Sequence, residues 1–275
     1  MQEKRTVFFL SDRTGITAES LGHTLLTQFD VTEFKQMTLP FINTPDKARA
    51  AVDYINQAAQ ESGKRPIIFS TTVNDEIRGL VRGANALFLD LFDTYLGPIE
   101  QELHLHATHV EGRAHGQADS EAYRTRMDAM NYALVHDDGA TTKNFAKADV
   151  ILIAPSRCGK TPTCIYLAMQ YGVYAANYPL TEEDLEKTRL PGFLTAHKNK
   201  LFGLISNPER LHQVRSERRP GSRYASLQQA GYELRQAEQL YRQHAVPYLD
   251  STNMSIEEMA VTIMQDKKLR RHSYA

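Results

Sequence analysis

The chain has no tryptophan, only two cysteines and almost no net charge: 32 Lys and Arg stand against 33 Asp and Glu, a formal -1. Each shortage removes a class of protein. Cys158 and Cys164 cannot build a disulfide framework, and no zinc-ligand spacing surrounds them. Balanced charge gives no global pull toward nucleic acid or anionic lipid. The Lys and Arg are scattered, without the interleaved aromatics that a nucleic-acid surface needs. Long apolar runs are missing too. The opening MQEKRTVFFLSDRTG holds only a short one, too short for the core of a secretory signal. No run approaches membrane-spanning length. Together these absences predict a cytoplasmic protein with no membrane or nucleic-acid partner.

What is present fits a globular chain. At 275 residues and 41% apolar content it can bury a sizeable core without staples, as one large domain or two modest ones. Strand-like and helix-like segments alternate, which points to α/β architecture with mostly parallel sheets. TVFFL (6–10), MTLPF (37–41), PIIFS (66–70) and ALFLDLF (86–92) read as strands. Between them, Ala18, Leu21, Leu25 and Phe29 share one helical face, and Thr17 is the expected N-cap of that helix. A second helix opens with Thr44 as cap and Pro45 in its first turn, and stops at Gly63. Further on, Tyr123, Met127, Met130 and Leu134 form a helical face. The region 106–120 is the least patterned and reads as a loop.

The second half carries the sharpest signal, VILIAPSRCGKTPTCIYLA (150–168). A buried-strand run is followed by Ala154, Pro155, Ser156, Arg157, Cys158, Gly159, Lys160 and Thr161, and then by helical spacing. Strand, tight loop and helix is the setting of a phosphate-binding P-loop. Gly159 permits a conformation that offers backbone N–H groups to an anion. Lys160 would reach a terminal phosphate, and the Thr161 hydroxyl would sit on Mg2+. Because half the chain precedes this loop, the expected division is an N-terminal α/β domain (1–145) followed by a P-loop kinase-like domain (146–275) with a mostly parallel sheet. Strands are expected at DVILIA, VYAANYPL, LFGLI and VPYLDS. Helices are expected at 161–171, 181–188, 207–218, 225–242 and 255–268, with Ser255 and Glu258 as a capping box.

Other clusters can carry chemistry. Arg210, Arg215, Arg218, Arg219 and Arg223 crowd one span, where a kinase lid would grip phosphate with guanidinium forks. SDRTGITAES offers Asp12, Thr14 and Gly15 at a helix entry, a candidate second anion site. HDDG brings His136, Asp137 and Asp138 together, as a general base for a hydroxyl nucleophile or as a magnesium site. His104, His106 and His109 do not match a helical zinc pair and read as a solvated helix end.

SDRTGITAE, HDDG, SRCGKTPT with IYLA, ANYPL, LFGL, PERL, SRYA and STNMSIEE recur together, in order, from about residue 7 to the C-terminus. In these the chain resembles the bacterial phosphoenolpyruvate synthetase regulatory proteins, relatives of the pyruvate, phosphate dikinase regulatory protein. Ala154 and Arg13 stand where that family usually has Gly. The resemblance implies a bifunctional serine/threonine kinase and phosphorylase. It would inactivate the synthetase by ADP-dependent phosphorylation of a threonine, with ADP on residues 154–161. It would reactivate the synthetase with inorganic phosphate, releasing pyrophosphate. Lys160 and one lid arginine would balance charge, and Asp137 or Asp138 would take the threonine proton. A small-molecule kinase using ATP and a nucleotide-sensing module remain open alternatives, and a homodimer is an open expectation.

Overall fold

The computed structural model describes residues 4–29, 33–108 and 120–271. The chain divides into two compact units, 1–116 and 117–275. In the first, β1 (Arg5–Leu10), α1 (Ile16–Leu26), β2 (Phe34–Leu39), α2 (Pro45–Ser62), β3 (Ile67–Ser70), α3 (Asp75–Arg82), β4 (Leu87–Asp90) and α4 (Leu91–Leu103) alternate. All strand pairs are parallel, in the order β2-β1-β3-β4. The second unit contains α5 (Ser120–Val135), β5 (Val150–Ala154), α6 (Lys160–Tyr171), β6 (Ala175–Pro179), α7 (Glu182–Lys187), α8 (Gly192–Thr195), β7 (Leu201–Ile205), α9 (Pro208–Arg218), α10 (Leu227–His244), β8 (Tyr248–Asp250) and α11 (Ile256–Asp266). Its sheet is also parallel, in the order β6-β5-β7-β8. The fold is therefore α/β with two four-stranded parallel sheets, as the alternation predicts. Among the described residues no helix is long and apolar enough to cross a membrane.

The observed division falls at 116/117, whereas the sequence places one at 145/146. The difference is α5. Its Ala129 and Ala133 pack with Cys164, Leu167 and Ala168 of α6 in one core, so the helix travels with the second unit. Of the face expected to be apolar, Met130 packs on this core and Met127 is half-buried, but Tyr123 and Leu134 are exposed, and the small face at Ala129 and Ala133 goes inside. Small residues let two helices approach closely, and that outweighs the burial of bulky ones here.

A similar shift occurs in α1. The buried stripe is Ala18, Gly22 and Leu26, and Leu25 and Phe29 face out. Gly22 lies on the rings of Phe9 and Phe69, where a Cβ would come within 2.5 Å of Phe9. Nor does Thr17 cap the helix. Gly15 does, in left-handed geometry at φ 81°, with no side-chain cap. The strand read at 86–92 ends at Asp90, and Leu91 and Phe92 open α4 instead. The expected ends of α2 and the start of α11 hold. The Thr44 hydroxyl accepts from the Lys47 N–H, and Gly63 closes α2 at φ 61°. Ser255 and Glu258 form both halves of a capping box.

In the second unit, β5 is one of the two inner strands and is buried at all five positions. Its neighbours β6 and β7 lie on opposite sides. The loop after β5 therefore emerges where the strand order reverses, the place at which parallel α/β sheets present ligands.

Candidate active site at the carboxyl end of the second sheet

Residues 155–159 join β5 to α6. Ala154 needs no special backbone freedom, because it is still strand, paired with Pro179 of β6. The left-handed conformations fall on Arg157 (φ 76°) and Gly159 (φ 89°). From Ser156 to Thr161, among the described residues, no backbone N–H has an acceptor in the protein. Any helix start leaves its first donors free. The loop adds those of Ser156, Arg157 and Cys158. Unpaired backbone donors in succession, at the positive end of a helix, make an anion cradle.

Lys160 is 4% exposed, and its ammonium donates to the Pro155 carbonyl at 3.2 Å. Burial pushes its pKa below the usual lysine value, while the nearby Asp138 and Asp137 carboxylates oppose the shift. Burial raises the Cys158 thiol to about 11 and also raises that of Cys164, so neither is a thiolate at neutral pH.

The HDDG turn comes to this loop. The Thr161 hydroxyl donates to Asp137 Oδ1 at 2.7 Å. Asn177 of β6 donates its amide to the same oxygen at 2.6 Å. The Asn177 carbonyl oxygen accepts the Asp138 N–H at 3.0 Å. One fully buried carboxamide thus holds both aspartates, and Asp138 stays in the left-handed region at φ 46°. The Asp138 side chain is exposed and, among the described residues, carries no hydrogen bond. His136, in contrast, is a buried tie. Its ring stacks on Tyr132, and its two nitrogens lie 2.8 and 2.7 Å from the carbonyls of Tyr132 and Lys143. Both ring nitrogens are thus taken up by backbone carbonyls of the turn's own surroundings.

The kinase/pyrophosphorylase family pattern matches residues 7–264. A protein of Alkalilimnicola ehrlichii is 54% identical over 273 residues, covering 99% of each chain. One from Halorhodospira halophila is 54% identical over 272 residues, 98% of this chain and 99% of its own. One from Pseudomonas putida is 50% identical over 268 residues, 98% of each. All three are provisionally named phosphoenolpyruvate synthase regulatory proteins. The chain belongs to the kinase/pyrophosphorylase family. Membership carries a transferase activity.

The arginines of the second unit divide. Arg215, expected on phosphate, is fully buried and committed to the protein. It donates to the Ser156 carbonyl from Nε at 3.3 Å and from an Nη at 3.0 Å. It also reaches the Tyr224 carbonyl at 3.1 Å and Glu233 at 2.6 Å, and lies over the Tyr224 ring. Its contact with the cradle therefore runs through a loop carbonyl. Tyr224 adds a hydroxyl contact to the Ser156 hydroxyl at 3.0 Å. Arg223 pairs with Glu182 in solvent. Arg218 and Arg219 are exposed.

In the first unit, the Asp12 carboxylate accepts from the Val73 N–H at 2.9 Å, a loop-to-loop tie. Thr14 is exposed, and Gly15 caps α1. His104 ends α4 and His106 is exposed, while His109 lies outside the described residues. Sequence reasoning missed Asn177, Tyr224 and Glu233. Asn177 left a signal, a carboxamide inside the buried strand AANYP, which needs a polar partner to be tolerated there.

Proposed function

We propose that this chain is an ADP-dependent protein threonine kinase and phosphate-dependent pyrophosphorylase acting on phosphoenolpyruvate synthase. The observation that carries the reading is the run of unpaired N–H groups from Ser156 to Thr161 beside the buried Lys160. The names of the relatives supply the partner. In the forward direction the threonine oxygen attacks the β-phosphorus of ADP, the bond to the α-phosphate oxygen breaks, and AMP leaves. Asp138 takes the threonine proton, because its carboxylate is free while Asp137 is held by Thr161 and Asn177. Loop donors and Lys160 hold the negative charge on the transferring group.

In reverse, a phosphate oxygen attacks the phosphorus of phosphothreonine. The threonine oxygen leaves and recovers its proton from Asp138, and pyrophosphate departs. One cradle serves both directions with a change of occupant. The donor set of Thr161 and Asp137, hydroxyl and carboxylate oxygens, suits a hard divalent cation such as Mg2+. Bound there, the ion would neutralise phosphate charge.

The test is a pair of assays on one variant. Lys160→Ala should abolish both threonine phosphorylation and phosphate-driven pyrophosphate release. Loss of only one would refute the shared cradle. Asp138→Asn should slow transfer while leaving ADP binding intact, and an unchanged rate would remove the base assignment.

A further inference from the structure

On the β7 side of the cradle, away from Asp137 and Asn177, a cavity of about 160 Å³ opens between α9, the end of β8 and the entry to α11. Its walls are mixed. Leu211, Val214, Met254 and Met259 supply apolar surface. Arg157, Arg210, Ser206 and Ser251 supply polar edges. The cavity adjoins the loop directly, since a Cβ on Gly159 would lie 3.3 Å from the Met259 methyl.

Size limits the occupant. Sites that enclose a whole ligand run to roughly 300–1,000 Å³, so this one takes a fragment. An apolar cavity of about 150 Å³ accepts a benzene ring. Chemistry narrows it further. Thioethers and guanidinium planes both favour the face or edge of an aromatic ring. The Arg157 side chain is exposed, with no hydrogen bond or ion pair among the described residues. Its backbone is left-handed at φ 76°, a conformation that residues with a side chain seldom adopt. Strain of that kind persists where a site uses it.

The geometry points to a nucleobase subsite in this cavity: Met254 and Met259 bed a flat heteroaromatic ring, and Arg157 and Arg210 cover its rim, while the phosphates run over Gly159 into the loop. This rests on the nucleotide-binding reading above and divides the site in two. The β7 side reads the base, and the β6 side performs the transfer.

Methyl-labelled methionine in the wild-type chain provides the test, with ADP and inorganic pyrophosphate as probes and calorimetry to confirm that each binds. ADP should move the Met254 and Met259 methyl signals upfield by ring current, and pyrophosphate should not. Val214→Phe, which fills the cavity, should weaken ADP by about tenfold, or 1.4 kcal/mol, and leave pyrophosphate affinity unchanged. The surface variant Arg210→Ala should shift the same preference in the same direction. ADP that binds without moving either methyl, or that binds Val214→Phe as tightly as wild type, would overturn the base subsite and spare the parent reading. Failure of ADP to bind the wild-type chain at all would overturn both.

Discussion

Asn177→Ala tests the organisation of the site most sharply. The wild-type carboxamide makes two side-chain bonds, to the Asp137 carboxylate at 2.6 Å and from the Asp138 N–H at 3.0 Å. A bond to a charged group contributes about 1.5–3 kcal/mol net. The Asp138 N–H lies in an exposed turn, where water can replace the lost partner, so that bond adds only about 1 kcal/mol. The expected loss is about 3 kcal/mol. With a urea slope of roughly 2 kcal/mol per M, the midpoint falls by about 1.5 M. Hydrogen exchange of peptides from β5 and β6 reads that midpoint on the second unit alone. The same change frees Asp137 to turn from Thr161, so phosphoryl transfer should fall about 10–100-fold, as for other losses of an orienting partner. A midpoint shift below about 0.3 M, with transfer intact, would show that Asn177 does not hold the aspartates.

Three further outcomes follow from the packing. Arg215→Met leaves Glu233 and the Ser156 carbonyl without their buried partner and should cost about 3–5 kcal/mol by urea melt. Arg215→Lys should rescue little of that, because it lacks the planar fork. Gly203→Ala drives a Cβ to 2.7 Å from the buried Tyr241 ring, and about 1–3 kcal/mol should be lost; a neutral result would mean the ring can move. Lys160→Met should gain most on the wild type at pH values below the lowered folded pKa of Lys160. The folded pKa of Lys160 is lowered, so the unfolded chain binds that proton more tightly. Wild-type stability therefore gains with rising pH from that lowered value up to the ordinary 10.5. The gap between variant and wild type should narrow between pH 7 and pH 10 in paired melts, and a constant gap would contradict the buried ammonium.

Most elements were legible because parallel strands and capped helices announce themselves locally. The Thr44 and Ser255 caps and the β5 run are read from a few adjacent residues. What failed depended on partners distant in sequence. The faces of α1 and α5 turned on Gly22 and Ala129, small residues whose value lies in close approach and does not register as apolar weight. The role of Arg215 was hidden among similar arginines, although one clue existed. Leu211 lies one turn earlier on the same helical face and is buried, which places Arg215 inside as well. In the site, Lys160 and Thr161 were legible from loop spacing. The approach of Asp137 to Thr161 across 24 positions was not, because it needs β6 to carry Asn177 into place.

Transfer of label from ADP carrying radioactive β-phosphate is the direct measurement. The protein is mixed with that nucleotide and with phosphoenolpyruvate synthase. The account expects label on a synthase threonine, falling synthase activity, and loss of both with Lys160→Ala. Bound ADP with no label on the synthase would contradict it.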